Sequence, residues 1–317
     1  MPSLKDKSVL ITGAHGFLGR HVVAELKKHS PSEIIAPKRD ECDFRKREEV
    51  DALLSSKMPA FVIHLAGRVG GIGETKAHPG GFFFDNASMA LNLIDSSYQN
   101  GVEKFVGLGS VCSYPKFAPI PFRESDLWEG YPEETNAPYG LAKKMMMVHT
   151  QAYSEEYGFN GIHLLGVNLY GPHDNFHPES SHVIAGMIRK FTDAKEAGSR
   201  EVVFWGDGSP TREFLYVEDC ARGIVLAAEK YDSPAPINLG SGMEISIHEL
   251  AQKLKTLTGF VGEITWDTSR PNGQPRRCLD VSLAEKEFGF KAQVGFDEGL
   301  KRTVEWYVNA KKEGEIQ

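Results

Sequence analysis

The sequence predicts an α/β protein: a doubly wound parallel sheet with a smaller α+β lobe over the carboxyl ends of its strands. Three observations predict it. Short apolar, β-branched runs alternate with amphipathic stretches from residue 7 to about residue 230, the pattern of consecutive β-α-β units. The first run is followed at once by Gly13-Ala14-His15-Gly16-Phe17-Leu18-Gly19, a glycine turn between strand and helix. From about residue 238 the units become smaller and less regular.

Residues 7–12, K-S-V-L-I-T, read as a buried strand, and residues 20–28 continue into an amphipathic helix. In this G-x-x-G-x-x-G variant, Gly13 permits the tight turn, Gly16 lets backbone approach a pyrophosphate, and Gly19 lets helix pack on strand. Residues 33–36 form the second strand, and Lys38 and Arg39 stand where an NAD enzyme usually carries an acid. Cations there suit a 2′-phosphate and so NADPH, the plain alternative being a solvated basic turn. Asp43 precedes a helix at 46–56 and is placed either to bond an adenine amino group or to cap that helix.

The strand at 61–65 runs into Leu65-Ala66-Gly67 and then Val69-Gly70-Gly71, small residues that let backbone lie beside a cofactor. A helix at 79–100 and a strand at 104–109 follow, putting Ser110 at a strand's carboxyl end. A long proline-rich loop, 117–138, delivers the chain to N-A-P-Y-G-L-A-K-K at 136–144. Pro138 suits a first helical turn, so Tyr139 and Lys143 fall on one face, one turn apart. An ammonium there should lower the phenol's pKa and fit it to exchange a proton with a carbonyl or alcohol oxygen. The plain alternative is a packed tyrosine and a solvated lysine.

The helix at 139–157 carries Met145, Met146 and Met147, which implies either an exposed face for a subunit contact or a wholly buried helix. Beyond it the spacing predicts a strand at 161–167, a helix at 181–197, strands at 201–204 and 214–217, a helix at 218–230, a helix at 246–258, a strand at 263–266, a loop at 267–277 and C-terminal helices. The larger domain therefore spans 1–167 with about 213–237, and the smaller lobe about 168–212 with 238–317.

Composition excludes other classes. The 317 residues are 41% hydrophobic and 25% charged, enough for a large core. A net charge of −7 argues against a general nucleic-acid binder, and no apolar run approaches a membrane span. Cys42, Cys112, Cys220 and Cys278 are scattered without C-x-x-C spacing. With no signal peptide, they argue for a reducing cytoplasm rather than a disulfide framework.

Longer motifs carry a resemblance. They are V-G-G-I at 69–72, G-S-V-C-S-Y-P-K at 109–116, N-L-Y-G-P-H-D-N-F-H-P-E at 168–179, S-H-V-I at 181–184, W-G-D-G-S-P-T-R-E-F-L at 205–215 and N-G-Q-P-R-R at 272–277. On these the chain resembles the extended short-chain dehydrogenase/reductase superfamily over nearly its whole length. Within it, the chain is similar to the NADPH-dependent epimerase-reductases of GDP-4-keto-6-deoxy-D-mannose. The resemblance implies a Rossmann domain, a likeness in assembly to homodimers, NADPH/NADP+ as cofactor and a GDP-linked 4-ketosugar as substrate. It implies Ser110, Tyr139 and Lys143 as the reductase triad, and Cys112 and His182 as the acid/base pair for C3 and C5. It implies cofactor contacts from the glycine loop including His15, Phe17 and Leu18, and from Arg39, Asp43, Leu65, Ala66 and Gly67. It places Val69, Gly70 and Asn168 by the substrate, with Lys190, Trp205, Arg212 and Arg277 toward its nucleotide diphosphate.

The chemistry is coherent. A 4-ketone acidifies the protons on C3 and C5, and inversion needs one group to remove a proton and another to return it on the opposite face. Environment can bring a cysteine and a histidine near neutrality. If 110–112 stays extended, Ser110 and Cys112 point the same way. A helix N-terminus at His182 should keep its ring neutral. The alternatives are a strand-capping Ser110, a buried apolar Cys112, and His173, His177 and His182 as metal ligands, for which no cysteine or carboxylate framework is evident. The rival activities are a C4-reductase without epimerisation, a redox-neutral epimerase holding NAD, and a non-catalytic member of the fold.

Overall fold

A computed structural model describes residues 3–270, 272 and 274–316. β1 (Ser8–Thr12) is buried from Val9 onward and runs through the glycine turn into α1 (Phe17–Lys27). β2 (Glu33–Ile35) and α2 (Arg47–Lys57) lead to β3 (Phe61–His64), which is buried throughout. A short helix, α3 (Ile72–Ala77), precedes α4 (Pro79–Gln99) and β4 (Lys104–Ser110). In α5 (Ala137–Tyr157), Pro138 occupies the first turn and Gly158 closes the helix at φ 67°. Proline needs no N–H there, and glycine enters the left-handed region without a Cβ penalty.

β5 (Gly161–Gly166) is followed by β6 (Asn168–Tyr170), α6 (Val183–Glu196), β7 (Glu201–Trp205), β8 (Thr211–Tyr216) and α7 (Val217–Lys230). Next come β9 (Ile237–Leu239), β10 (Glu244–Ser246) and α8 (Ile247–Thr258), whose start is fixed by a Ser246–Glu249 capping box. β11 (Glu263–Asp267), β12 (Arg276–Arg277), α9 (Ser282–Phe288) and α10 (Phe296–Lys312) complete the order.

Six strands form one parallel sheet in the order β2-β1-β3-β4-β5-β9. The order of strand addition reverses between β1 and β3, so their carboxyl ends open the crevice where doubly wound sheets bind ligands. Val9 and Ile11 pack in one core cluster with Val22, Ile224 and Ala228, while Leu10 packs in another with Leu54, Leu93 and Ile94. That alternation covers both faces: α1 lies against α7, and α4 against α5. A third cluster, including Phe191, Phe204, Phe214, Leu254 and Tyr307, forms the core of the smaller lobe.

Three features refine the expectations. The strand expected over 161–167 is β5, and a further strand, β6, follows it at once. The Val167 N–H donates to the Leu239 carbonyl at 3.3 Å, but Asn168 already pairs with Phe214, so the chain changes sheets at this point. β8 does not join the large sheet; β6, β10 and β12 pair with it in a separate four-stranded sheet. Met146 and Met147 are buried, and Met145 is half-buried. α5 is sandwiched, Met146 meeting the Phe105 cluster and Met147 the cluster around Tyr114 and Leu127. The exposed large hydrophobic side chains on α4 and α5 instead include Phe83, Phe84, Leu91, Val148 and Tyr157.

Candidate active site

The crevice begins at the glycine turn. Gly13 has φ +72°, and a Cβ on it would stand 2.9 Å from the Ala66 nitrogen. A Cβ on Gly19 would stand 2.0 Å from the Gly13 carbonyl oxygen. The loops after β1 and β3 therefore touch, and only glycine fits where they do. Gly16 is the N-cap of α1 without a side-chain cap, and no acid stands in the first turn. Free N–H groups and the positive helix end suit a pyrophosphate. Asn86 adds an acceptor: its amide donates to the Arg68 and Phe82 carbonyls at 3.0 and 2.7 Å, while its buried Oδ1 has no partner and faces Gly67. These features fit a dinucleotide.

Side chains brace the loops. Thr12 Oγ1 accepts the Leu65 and Ala66 N–H groups at 3.2 and 3.0 Å. With both lone pairs used, its hydroxyl donates to His64 Nδ1 at 2.8 Å, which puts the His64 proton on Nε2. His15 Nε2 donates to the Ala36 carbonyl at 2.9 Å, tying the glycine loop to the end of β2. Phe17 and Leu18 open α1. Lys38 and Arg39 stand exposed just beyond. Asp43 does not cap α2, whose N-cap is Lys46. Its carboxylate is held by Arg45 at 2.9 and 2.6 Å, which keeps its pKa down at about 2.

Ser110, Tyr139 and Lys143 come together because α5 approaches the turn after β4 very closely. A Cβ on Gly140 would stand 2.2 Å from the Cys112 carbonyl oxygen, and Ser113 Oγ donates to the Gly140 carbonyl at 3.0 Å. The Tyr139 phenol consequently meets the Ser110 hydroxyl. Lys143 is only 5% exposed, and its Nζ donates to the Leu108 carbonyl at 2.9 Å. Burial pulls the Lys143 pKa down to about 8. The expected lowering of the phenol does not occur. Burial first, then the Cys112 sulfur, push the Tyr139 pKa up against the Ser110 hydrogen bond. The ammonium is engaged by a backbone carbonyl, and desolvation wins. Beneath it lie two buried histidines, His64 and His163; a Cβ on Gly109 would stand 2.2 Å from His163 Nε2. Burial and the Lys143 charge hold both rings neutral, His163 down at about 3.

Residues 111–113 form a tight 3-10 turn rather than the extended segment expected. Ser110 Oγ accepts the Cys112 N–H at 3.2 Å, and that bond folds the turn. Arg277 Nη1 stands 3.6 Å from Cys112 Sγ, while its Nε donates to Gln274 Oε1 at 2.6 Å. Arg212 lies beside Arg277 in the β8–β12 register, its pKa pulled down to about 10 by burial and then by the Arg277 charge. The Arg277 guanidinium stands at the Cys112 sulfur, and that of Arg212, beside it, donates to the Thr211 carbonyl at 2.7 Å.

His182 is the N-cap of α6, its side chain 47% exposed, with Nδ1 3.7 Å from Asp174 Oδ1. The downward shift expected from the helix end is not found: the Asp174 carboxylate raises the His182 pKa, against desolvation. The loop of Gly67, Val69, Gly70 and Gly71 bridges this group to the triad: Gly67 lies against Lys143 Nζ, and Gly71 against the Ser181 carbonyl. Asn168 Nδ2 donates to the Glu213 carbonyl at 3.0 Å. Lys190 and Trp205 form a further group around β7. Lys190 Nζ donates to the Val203 carbonyl at 3.1 Å, and the exposed Trp205 ring lies 5.3 Å from the Arg270 guanidinium. Among the described residues no three His, Cys, Asp or Glu side chains converge as a metal site.

Sequence reasoning passed over Gly140, Asn86, His64, His163 and Asp174. The first and last had a signal, since both lie inside quoted motifs. His64 and His163 depend on contacts across the sheet, and Asn86 on the approach of α4 to the loop after β3.

The family model described as "NAD dependent epimerase/dehydratase family" matches residues 9–240. GDP-L-fucose synthase 1 of Arabidopsis thaliana is 39% identical over 308 residues, covering 96% of this chain and 95% of that protein. The crystal structure of a GDP-6-OMe-4-keto-L-xylo-heptose reductase from C. jejuni is similar with a TM-score of 0.90 at 27% identity, covering 98% of this chain and 99% of that one. A GDP-L-fucose synthetase from Naegleria fowleri bound to NADP is similar with a TM-score of 0.87 at 29% identity, covering 97% and 96%.

Proposed function

The chain belongs to the NAD dependent epimerase/dehydratase family, and on that premise we propose that it is an NADPH-dependent epimerase and reductase of a GDP-linked 4-keto-6-deoxy sugar, with GDP-L-fucose as product. One observation carries the reading. A reductase triad, Ser110, Tyr139 and Lys143, stands against a second proton-transfer group, Cys112 with Arg277 at its sulfur. A redox-neutral enzyme or a plain reductase has no need of both. The larger sheet serves the cofactor in this reading, and the smaller lobe serves the nucleotide sugar.

The glycine loop and the α1 N-terminus hold the pyrophosphate, Leu65 to Gly67 line the crevice, and Arg39 meets the 2′-phosphate. Bound NADPH supplies the hydride that reaches C4. Cys112, as the thiolate, removes a proton from C3 or C5, and the electrons move into the 4-carbonyl as an enolate. Arg277 stands where the sulfur carries its negative charge before it takes the proton. His182 returns a proton to the opposite face. Tyr139 then gives its proton to O4 as the ketone is reduced, with Ser110 fixing the phenol and Lys143 supplying the positive charge beneath it.

A homodimer belongs to the same reading, with the second copy covering Phe83, Phe84, Leu91 and Val148 on α4 and α5. Light scattering should return twice the 35.1 kDa of the chain. A cytoplasmic setting also belongs to it, because Cys42, Cys112, Cys220 and Cys278 are free thiols. Among the described residues no helix is long and apolar enough to cross a membrane.

The test is product analysis. With NADPH and GDP-4-keto-6-deoxy-D-mannose in deuterium oxide, NMR should show GDP-L-fucose carrying deuterium at C3 and C5. Reduction without inversion or deuterium identifies a C4-reductase, the second reading, which the likeness to the heptose reductase supports. No oxidation of NADPH overturns both.

A further inference from the structure

We propose that Asp174 is the positioning residue of the epimerisation acid: its carboxylate orients the His182 ring and retains on it the proton that is delivered to the sugar. The inference rests on the epimerase reading above. Asp174 has only 3% of its side chain exposed, and its Oδ1 lies 3.7 Å from His182 Nδ1. His182 is half exposed and stands at the head of α6 as its N-cap. A carboxylate at Nδ1 fixes which nitrogen faces the protein and leaves Nε2 for the substrate.

The surrounding charges leave this task to Asp174. On α6, Arg189 turns its guanidinium to the Phe176 carbonyl at 3.1 Å and to Asp193 at 3.3 Å. The loop at 69–71 approaches with backbone, Gly71 lying against the Ser181 carbonyl. The N-terminus of α6 itself disfavours imidazolium. Behind Asp174 stand Arg20 and His173. Asp174 is therefore the anion that can offset the helix end, and it raises the His182 pKa despite burial.

The carboxylate is itself held in place. His173, immediately before it, has φ +69°, a left-handed conformation that is costly for a residue with a Cβ. The His173 ring is fixed on two sides: its Nδ1 accepts from Arg20 Nη1 at 2.9 Å, and it lies 4.5 Å from the Trp306 ring. Arg20 also donates to the His15 carbonyl at 3.2 Å. The turn carrying Asp174 is thus fastened to the helix of the glycine loop, and the Asp174 N–H closes it on the Gly171 carbonyl at 3.3 Å. Strain maintained next to a buried carboxylate is what a placed group requires.

The step balances. Cys112, entering as the thiolate, takes the proton as the C–H bond breaks and the pair moves to O4. The His182 imidazolium gives its Nε2 proton to the opposite face as the new C–H bond forms and the carbonyl returns. The step leaves a Cys112 thiol and a neutral His182; release of the thiol proton to solvent and uptake of one by the half-exposed His182 ring restore the starting state.

The test measures deuterium entry at C3 and C5 against NADPH oxidation, from pH 6 to 9, in the full-length enzyme. Asp174→Asn should lose about 10-fold or more of exchange relative to reduction, part of the ~10²–10⁴-fold that a placed acid contributes. Its loss of exchange with rising pH should set in at lower pH than in the wild type, and Asp174→Glu should restore it in part. An unchanged exchange profile in Asp174→Asn overturns this inference alone. Absence of exchange in the wild type overturns the epimerase reading, and this inference with it. If Asp174→Asn does not fold, the wild type still decides. The His182 ring, assigned with His182→Gln, should titrate above ordinary histidine by NMR; titration below it overturns the proposal.

Discussion

Replacing Lys143 by methionine should stabilise the protein while abolishing reduction. Burial takes the Lys143 pKa from 10.5 to about 8. At about 1.4 kcal/mol per unit, keeping that buried ammonium protonated costs the fold roughly 3 kcal/mol. Removing the lysine also removes its bond to the Leu108 carbonyl, which returns about 1 kcal/mol, so the net gain is about 2 kcal/mol at pH 7. Between pH 8 and 10.5 the unfolded chain binds a proton that the folded protein has released. Wild-type stability therefore rises with pH through that window, and below it the full penalty applies. Urea unfolding of wild type and Lys143→Met at pH 7 and pH 10.5 measures the difference. The variant should be more stable at pH 7, and the gap should close at the higher pH. A variant no more stable at pH 7, or a gap independent of pH, refutes the account of Lys143 as a charge held buried at a cost to stability.

Three further outcomes are expected. Tyr139→Phe should lose several orders of magnitude in NADPH oxidation with cofactor affinity nearly unchanged, because the missing hydroxyl acts in the transition state; near-normal turnover would remove Tyr139 from the reaction. Arg39→Ala should weaken NADPH and leave NADH as it was in steady-state kinetics, and equal use of both cofactors by the wild type would show that Arg39 reaches no 2′-phosphate. Cys112→Ser should stop deuterium entry at C3 and C5 while hydride transfer persists, since a hydroxyl is far less acidic than a thiol at about 8.5; retained exchange would return Cys112 to a packing role.

The large sheet was legible because its information is local. An apolar run, a glycine turn and a helix follow one another in the chain, and their chemistry fixes β1, α1 and the crevice. β6 was missed because nothing within three residues separates it from a strand's frayed end, and the switch of partners after Val167 defines it; β9, also three residues long, is defined by its pairing with β5. The site shows the same division. Tyr139, Lys143 and Ser110 could be placed from spacing and strand ends. Their electrostatics could not, because burial of Lys143 and the carbonyl it meets come from strands far away in sequence. The arginines show it most plainly: Arg277 was legible as a motif residue, but its place at Cys112 depends on the pairing of β12 with β8.

The two chemistries require different environments within one crevice. In the proposed reaction, reduction uses a buried ammonium whose charge is exposed to little water, so its field on a developing oxyanion is strong. Epimerisation needs groups that lose and regain protons each cycle, and such groups must keep contact with solvent. The structure separates them by burial: Lys143 is 5% exposed, whereas the His182 side chain is 47% exposed. Cys112 lies between, half-buried, with Arg277 at its sulfur and Ser110 at its backbone. The 3-10 turn that makes this possible depends on Gly140, since any side chain there would meet the Cys112 carbonyl at 2.2 Å and push the turn off α5. One glycine next to Tyr139 therefore sets how far the Cys112 sulfur stands from the phenol.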